Sequence, residues 1–339
     1  MFSLSKRLGQ IYCALIFALA SAPLSLAQQP AAAGAVTGAG NFSHIVANLE
    51  RSVDFYHNVL GLDIATPPGT FSPNPAIMKL GNTIGGQSRI AVLKIPGAGI
   101  GLELIEYKDI DRKPANLRFQ DPGAGNLAIL VKEIDPVVAR VKASGAHILT
   151  AAGQAVDIQG REKGMFVQDP DGFIVELTQL TPLPPAAAAT QGNLFGASVE
   201  VTIADTDQTV KFYRDLLGFQ LKVGDSFNGN QLMAATAGTP GAQFRQSSGQ
   251  IPGTSVRMTF IEFKDIDRKP LHTRVQDPGT ALIQLRVADM DSLLRTLKQG
   301  GGTVVTTGGE PVAIGNLKIA IVRDPNNLFL ELMSTPPAK

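Results

Sequence analysis

Apolar residues recur along this chain in two alternating rhythms. Leu49, Val53, Tyr56 and Leu60 fall at spacings of 4, 3 and 4, the single stripe of a helix packed on one face. Asn48 supplies an N-cap and Gly61 a stop. A strand at 41–47 precedes this helix, and extended runs at 62–66, 89–95 and 100–107 follow it. The order strand, helix, strand, strand, strand then repeats. A strand at 126–131 leads through Asp135-Pro136 to a helix carrying Val137, Val138 and Val141, which ends at Gly145. Strands near 147–150, 164–168 and 173–177 complete the unit, the last two joined by an Asp-Pro-Asp-Gly turn.

The second half runs through the same course. Thr206, Val210, Tyr213 and Leu217 repeat the 4, 3, 4 stripe, and Met290, Leu293, Leu294 and Leu297 form the later helix, ending at Gly300. A closing hairpin turns at Asp-Pro-Asn-Asn into 328–332. One stretch is nearly copied outright. IEYKDIDRKPANLRFQDPG from Ile105 to Gly123 and IEFKDIDRKPLHTRVQDPG from Ile261 to Gly279 agree at fourteen of nineteen positions. Agreement that long marks an internal duplication. The pattern predicts an α+β protein of four βαβββ modules, two per domain.

The ends read differently. Lys6 and Arg7, the apolar run from Ile11 to Ala20, and Ser25-Leu26-Ala27 make residues 1–27 a secretory signal peptide cut after Ala27. The expected location is therefore periplasmic or secreted. No later segment is long and apolar enough to span a membrane. Residues 28–40 are expected to be a flexible tether, 41–180 the first domain, 181–193 a Pro/Ala-rich linker and 194–335 the second domain.

Composition removes some chemistry. The one cysteine, Cys13, leaves with the signal peptide, so thiolate ligands and cysteine nucleophiles are excluded from the mature chain. Losing Lys6 and Arg7 takes the formal charge from +1 to −1, and a nucleic-acid partner would call for a basic excess.

NLERSVDFYHNVLGLD (48–63), GLELIEYK (101–108) and DPDGFIVEL (169–177) resemble the vicinal oxygen chelate superfamily, as do DTDQTVKFYRDLLGF (205–219) and DPNNLFLEL (324–332). That superfamily includes glyoxalases, bleomycin-resistance proteins and extradiol dioxygenases. The resemblance implies curved mixed sheets around a cavity, with a divalent metal held by His and Glu. Carried onto this chain, the first-strand His falls on Asn41 and Ser198, and the fifth-strand His on Asn126 and Leu282. The fourth-strand Glu falls on Glu103 and Thr259, and the final-strand Glu on Glu176 and Glu331. His44, three residues from the ligand position, is expected to point away from the cavity.

Two groupings follow. Self-closed domains would unite Asn41, Glu103, Asn126 and Glu176. Pairing across domains would unite Asn41, Glu103 and Glu331 in one site, and Asn126, Glu176 and Ser198 in another. Glu103 and Glu176 are the candidate general bases. Asn41, Asn126, Arg118 and Arg274 are the candidate ligand-binding groups, the two arginines alternatively pairing with neighbouring acids at the surface. No cofactor is expected, apart from weak magnesium, calcium or manganese binding in the first domain, with Glu103, Glu176 and Glu331 as candidate ligands. The expected activity is binding of a small molecule at degenerate metal sites. The alternative is a metal-dependent glyoxalase-type lyase or extradiol-type dioxygenase. Oligomeric state stays open.

Overall fold

A computed structural model describes residues 36–335. The expected signal peptide and residues 28–35 of the expected tether lie outside the described residues. In chain order the elements are β1 (Val36–Val46), α1 (Leu49–Asp54), β2 (Asp63–Thr66), α2 (Pro75–Leu80), β3 (Gln87–Lys94) and β4 (Gly101–Lys108). The second module contains β5 (Gly125–Val131), α3 (Asp135–Ser144), β6 (Val156–Ile158), β7 (Glu162–Gln168) and β8 (Ile174–Leu180), and α4 (Pro185–Ala188) follows in the linker. The third has β9 (Leu194–Ile203), α5 (Thr206–Lys211), α6 (Gln231–Thr236), β10 (Gln243–Gln250) and β11 (Arg257–Lys264). The fourth has β12 (Ala281–Val287), α7 (Met290–Gln299), β13 (Val312–Ile314), β14 (Leu317–Arg323) and β15 (Phe329–Ser334).

These strands form two mixed sheets, and each sheet draws on both halves of the chain. One has the order β13-β14-β15-β12-β1-β4-β3-β2, the other β10-β11-β9-β5-β8-β7-β6. The seam of the first sheet is antiparallel β1 on β12, and that of the second is antiparallel β5 on β9. Modules one and four therefore share a sheet, as do modules two and three. The cross-domain grouping is the one that forms, and the self-closed grouping of Glu103 with Glu176 is not present.

Two sequence expectations need correction at their edges. Residues 36–40 belong to β1, pairing Val36 with Val287 and Gly38 with Arg286, so the tether ends earlier than expected. Gly40 fits there because an added Cβ would lie 2.5 Å from Gln284 Oε1 and 2.6 Å from Met333 Cε. The short helices α2 and α6 have no counterpart in the apolar pattern. Each is capped by an asparagine, Asn74 and Asn230, whose side-chain oxygen accepts from the first helical N–H groups.

The apolar stripes do what their spacing requires. Tyr56 and Tyr213 are both fully buried. Each sits in a π-helical turn that extends the first helix of its domain, Phe55–Leu60 and Phe212–Leu216. Tyr56 donates to Asp169 at 3.1 Å and Tyr213 to Asp324 at 3.1 Å. Both aspartates begin the turns of the closing hairpins. A buried aromatic ring thus carries its hydroxyl to a partner that ties helix to hairpin within each domain.

The duplicated tract joins the two halves. Lys113 N–H donates to Asp277 and Lys269 N–H to Asp121, at 2.9 and 2.8 Å. Arg118 forks onto Asp121 and reaches Asp267 of the other copy; Arg274 forks onto Asp277 and reaches Asp111. The copies interlock reciprocally, which accounts for their near-identity. The buried aspartates organise this joint, because each accepts from backbone and guanidinium together.

Candidate functional site

Each sheet carries one cavity. The first, of about 350 Å³, is lined by residues from β3, β4, β12, β14 and β15, with α2 and its preceding loop over the opening. Its polar centre comes from strand register. Ser43 on β1 faces Glu103 on β4, and Gln284 on β12 faces Glu331 on β15. Ser43 Oγ donates to Glu103 Oε2 at 2.8 Å, and Gln284 Nε2 donates to the same oxygen at 2.9 Å. Gln284 Nε2 also donates to Ser43 Oγ at 3.1 Å. The amide oxygen of Gln284 accepts from Asn41 N–H at 2.8 Å. A backbone N–H can only donate, so it fixes which end of the amide faces the cavity. That end is the NH2.

Burial pushes the Glu103 carboxyl upward against these hydrogen bonds. Glu331 is raised to about 8, by burial first and then by the charge of Glu103. The walls are aliphatic, with Leu80, Ile105, Leu282, Ile319 and Ile321. Arg89 lines the rim but is held by Glu50 and Glu106.

The second cavity, of about 240 Å³, lies on the other sheet beneath α6. Here Glu200 on β9 faces Thr259 on β11, and Glu176 on β8 faces Ala128 on β5. Asn126 Nδ2 donates to Glu200 Oε2 at 2.7 Å, while Asn126 Oδ1 is buried without a partner. Glu200 is raised to about 7, chiefly by burial, with Asn126 opposing the shift. Glu176 is raised well above the usual range by burial and by Glu200 and Glu162. The hydrogen bond between the two carboxyl groups raises Glu176 and lowers Glu200. Two acids this close in a dry site cannot both ionise at low cost.

The expected site residues are thus distributed unevenly. Glu103 and Glu331 meet in the first cavity, and Glu176 and Asn126 meet in the second. Asn41 serves the backbone instead. Its side chain accepts from Gly101 N–H at 3.1 Å, and its own N–H orients Gln284. Ser198 pairs with Arg257 on β11, two residues along from the Glu200 row. Arg118 and Arg274 lie in the interlocked tracts, and neither lines a sheet cavity.

Ser43, Glu200 and Gln284 each stand two residues from Asn41, Ser198 and Leu282, the positions onto which the resemblance carries the family's His. Strand alternation held the signal. In β9, Glu200 is the one charged residue, set between Val199 and Val201.

No histidine lines either cavity among the described residues. His57 bonds to the Leu62 carbonyl, His147 to Gln168, and His272 lies in the groove between the tracts. His44 is buried, with Nε2 2.7 Å from Asp169 Oδ2 and Nδ1 3.2 Å from the Thr280 carbonyl. Ligand atoms of His44, Asp169 and Asp171 all lie within 4.8 Å of one another, a set that a metal ion could use. The hydrogen bonds give the set a structural role. Both imidazole nitrogens face acceptors, which suits the doubly protonated ring. Burial alone would push His44 down, but the charge and hydrogen bond of Asp169 overcome this and raise it.

The cavity donors decide whether the metal that the fold implies fits. In the first cavity, an ion beside Glu103 and Glu331 would meet the NH2 of Gln284 where a ligand oxygen or imidazole is needed. In the second, Ala128 stands opposite Glu176 and offers no ligand atom. Neither set fits a tightly bound zinc or iron ion.

A family model for the Glyoxalase/Bleomycin resistance protein/Dioxygenase superfamily matches residues 39–177 and again 197–332. The chain belongs to that superfamily. A lactoylglutathione lyase of Neisseria meningitidis is 30% identical over 138 residues, covering 40% of this chain and 84% of that protein. One from Arabidopsis thaliana is 30% identical over 99 residues, covering 29% of this chain and 31% of the plant protein. The match thus spans about a third of the plant relative's length. The fold resembles glyoxalase I from Zea mays, with a TM-score of 0.56 at 17% identity, covering 89% of this chain and 92% of that one. A Bacillus subtilis putative dioxygenase aligns with a TM-score of 0.55 at 16% identity, covering 90% of this chain and 87% of that chain. At these identities the likeness is one of fold. No helix among the described residues is long and apolar enough to cross a membrane.

Proposed function

We propose that this chain is an exported protein that binds a small molecule in its sheet cavities without a tightly held transition metal. The observation that carries the reading is the orientation of Gln284. Asn41 N–H holds its oxygen, so the amide presents donors, not a ligand atom, to Glu103. Both cavities are concave, and the first is largely apolar with a few convergent polar groups, the usual form of a small-molecule site. Export is supported by the charge, apolar run and small-residue cleavage pattern of residues 1–27.

A second reading, a metal-dependent lyase, is favoured by the Neisseria relative's name and the 84% of its length that aligns. An enzyme of that kind cannot combine Glu103 with Glu176, which open into different cavities, so its ion would sit beside Glu103 and Glu331 in the first cavity or beside Glu176 and Glu200 in the second. Calorimetric titration of metal-stripped protein with zinc and with manganese separates the readings. The expected result is at most weak binding, with dissociation constants above about 10 μM. Sub-micromolar zinc binding that is lost in both Glu103→Gln and Glu331→Gln would establish the enzyme reading instead.

A further inference from the structure

The two cavities differ in their walls. The first is mainly aliphatic with one aromatic residue, Tyr107, whereas the second carries four phenylalanines in an unbroken string. Phe166 lies 4.7 Å from Phe119, Phe119 lies 5.5 Å from Phe263, and Phe263 lies 6.2 Å from Phe244, centroid to centroid. All four line the cavity. Aromatic faces are electron-rich and attract cations, most strongly where water is excluded.

The polar floor of the same cavity is acidic. Glu162, Glu176 and Glu200 all line it, and among the described residues no lysine or arginine offsets the charge of any of the three. Asn126 Nδ2, the Thr178 hydroxyl and one shared proton serve Glu176 and Glu200, while Asn126 Oδ1 has no donor at all. Arg257 is the one cationic side chain in the lining. It is exposed, bonds to Ser248 Oγ at 3.2 Å, and stands two residues along β11 from Thr259. That places it about 7 Å along the strand from the Glu200 row, at the mouth and not at the floor.

We propose that the second cavity receives a small organic ammonium compound, its charged end on Glu200 and Glu176 and its hydrocarbon body against the phenylalanines; this rests on the binding reading given for the same cavity. The ammonium N–H groups replace the proton shared by the two carboxyl groups, and that proton leaves to solvent. Binding is therefore linked to pH. As pH falls through about 7, Glu200 takes up a proton and the floor loses its negative charge. The other groups facing it are Glu162, which burial also raises, Glu176, which already shares a proton with Glu200, and Arg257, whose charge does not change over this range.

The probes are benzylammonium and the uncharged benzyl alcohol, titrated calorimetrically into metal-free protein at about pH 7.5 and about pH 5.5. Benzylammonium is expected to bind at least about tenfold more tightly than benzyl alcohol at the higher pH and to lose about tenfold at the lower. Buffers of different ionisation enthalpy should report proton release. Glu200→Gln, checked for folding by thermal melting, should remove the preference for the charged probe. If that variant fails to fold, the pH comparison on the parent protein decides. Equal binding of both probes, or a benzylammonium affinity that does not change with pH, overturns the proposal while leaving the metal-free reading in place. Tight zinc binding that displaces benzylammonium would instead overturn the metal-free reading.

Discussion

Asp169→Ala should destabilise the protein by about 3–5 kcal/mol, the cost of stranding one member of a buried charged pair. Asp169 accepts from His44 Nε2 at 2.7 Å, Tyr56 OH at 3.1 Å, Asp171 N at 2.8 Å and Phe173 N at 2.9 Å. Its removal leaves a fully buried imidazole with the Thr280 carbonyl as its one remaining hydrogen-bond partner. The second domain supplies the comparison. Asp324 also accepts from a tyrosine and two turn N–H groups, but Val201 occupies the place of His44. Asp324→Ala should therefore cost less, about 2–3 kcal/mol. Denaturant unfolding of both variants checks the order. Equal costs would mean that His44 is not charged and that the His44–Asp169–Asp171 set needs another explanation.

Glu331→Gln should make the protein more stable at about pH 8, and this gain should largely vanish near pH 5. The sign follows from the direction in which burial moves the carboxyl. Glu331 in the folded protein is raised to about 8 from an ordinary value of 4.5. Between those values the folded state keeps a proton that the unfolded chain has lost. The stability due to Glu331 is then complete below about 4.5 and is lost as pH rises through about 8. A tenfold change in proton affinity corresponds to about 1.4 kcal/mol, so the full interval bounds the effect at a few kcal/mol; water in the cavity reduces it to roughly 2. Glutamine keeps the shape and has nothing to ionise. Melting curves of parent and variant at both pH values test this, and a variant less stable than the parent at pH 8 would contradict it.

The architecture was open to reading because its signals are local. The 4, 3, 4 stripes ending at Gly61 and Gly218, and the Asp-Pro turns before the last strands, each depend on neighbours in sequence. Which module shares a sheet with which is not local. The antiparallel seams β1–β12 and β5–β9 join residues more than 60 positions apart, and either pairing buries the same apolar faces. The tract from Ile105 to Gly123 shows the limit from the other side. Its duplication was plain, but its use as an interlock appears only when Arg118 meets Asp267 of the other copy.

The candidate site was legible in part for the same reason. Glu103, Glu176 and Glu331 stand on strands whose alternation is clear, and each opens into a cavity. Gln284 and Glu200 stand two residues from the positions that the resemblance indicates, on the correct face. What Gln284 presents to Glu103 depends on Asn41 N–H, a hydrogen bond between residues 243 positions apart. No spacing rule carries that information. The small residues from Val36 to Gly40 likewise look like a tether until β12 pairs with them.

The central claim, a superfamily member that binds its ligand without a tight transition metal, is tested most directly by elemental analysis. The protein would be purified from the exported fraction without chelators and dialysed before measurement. The account predicts zinc, iron, nickel and manganese all far below stoichiometric amounts. A stoichiometric transition metal retained through dialysis, and lost in Glu331→Gln, would contradict it.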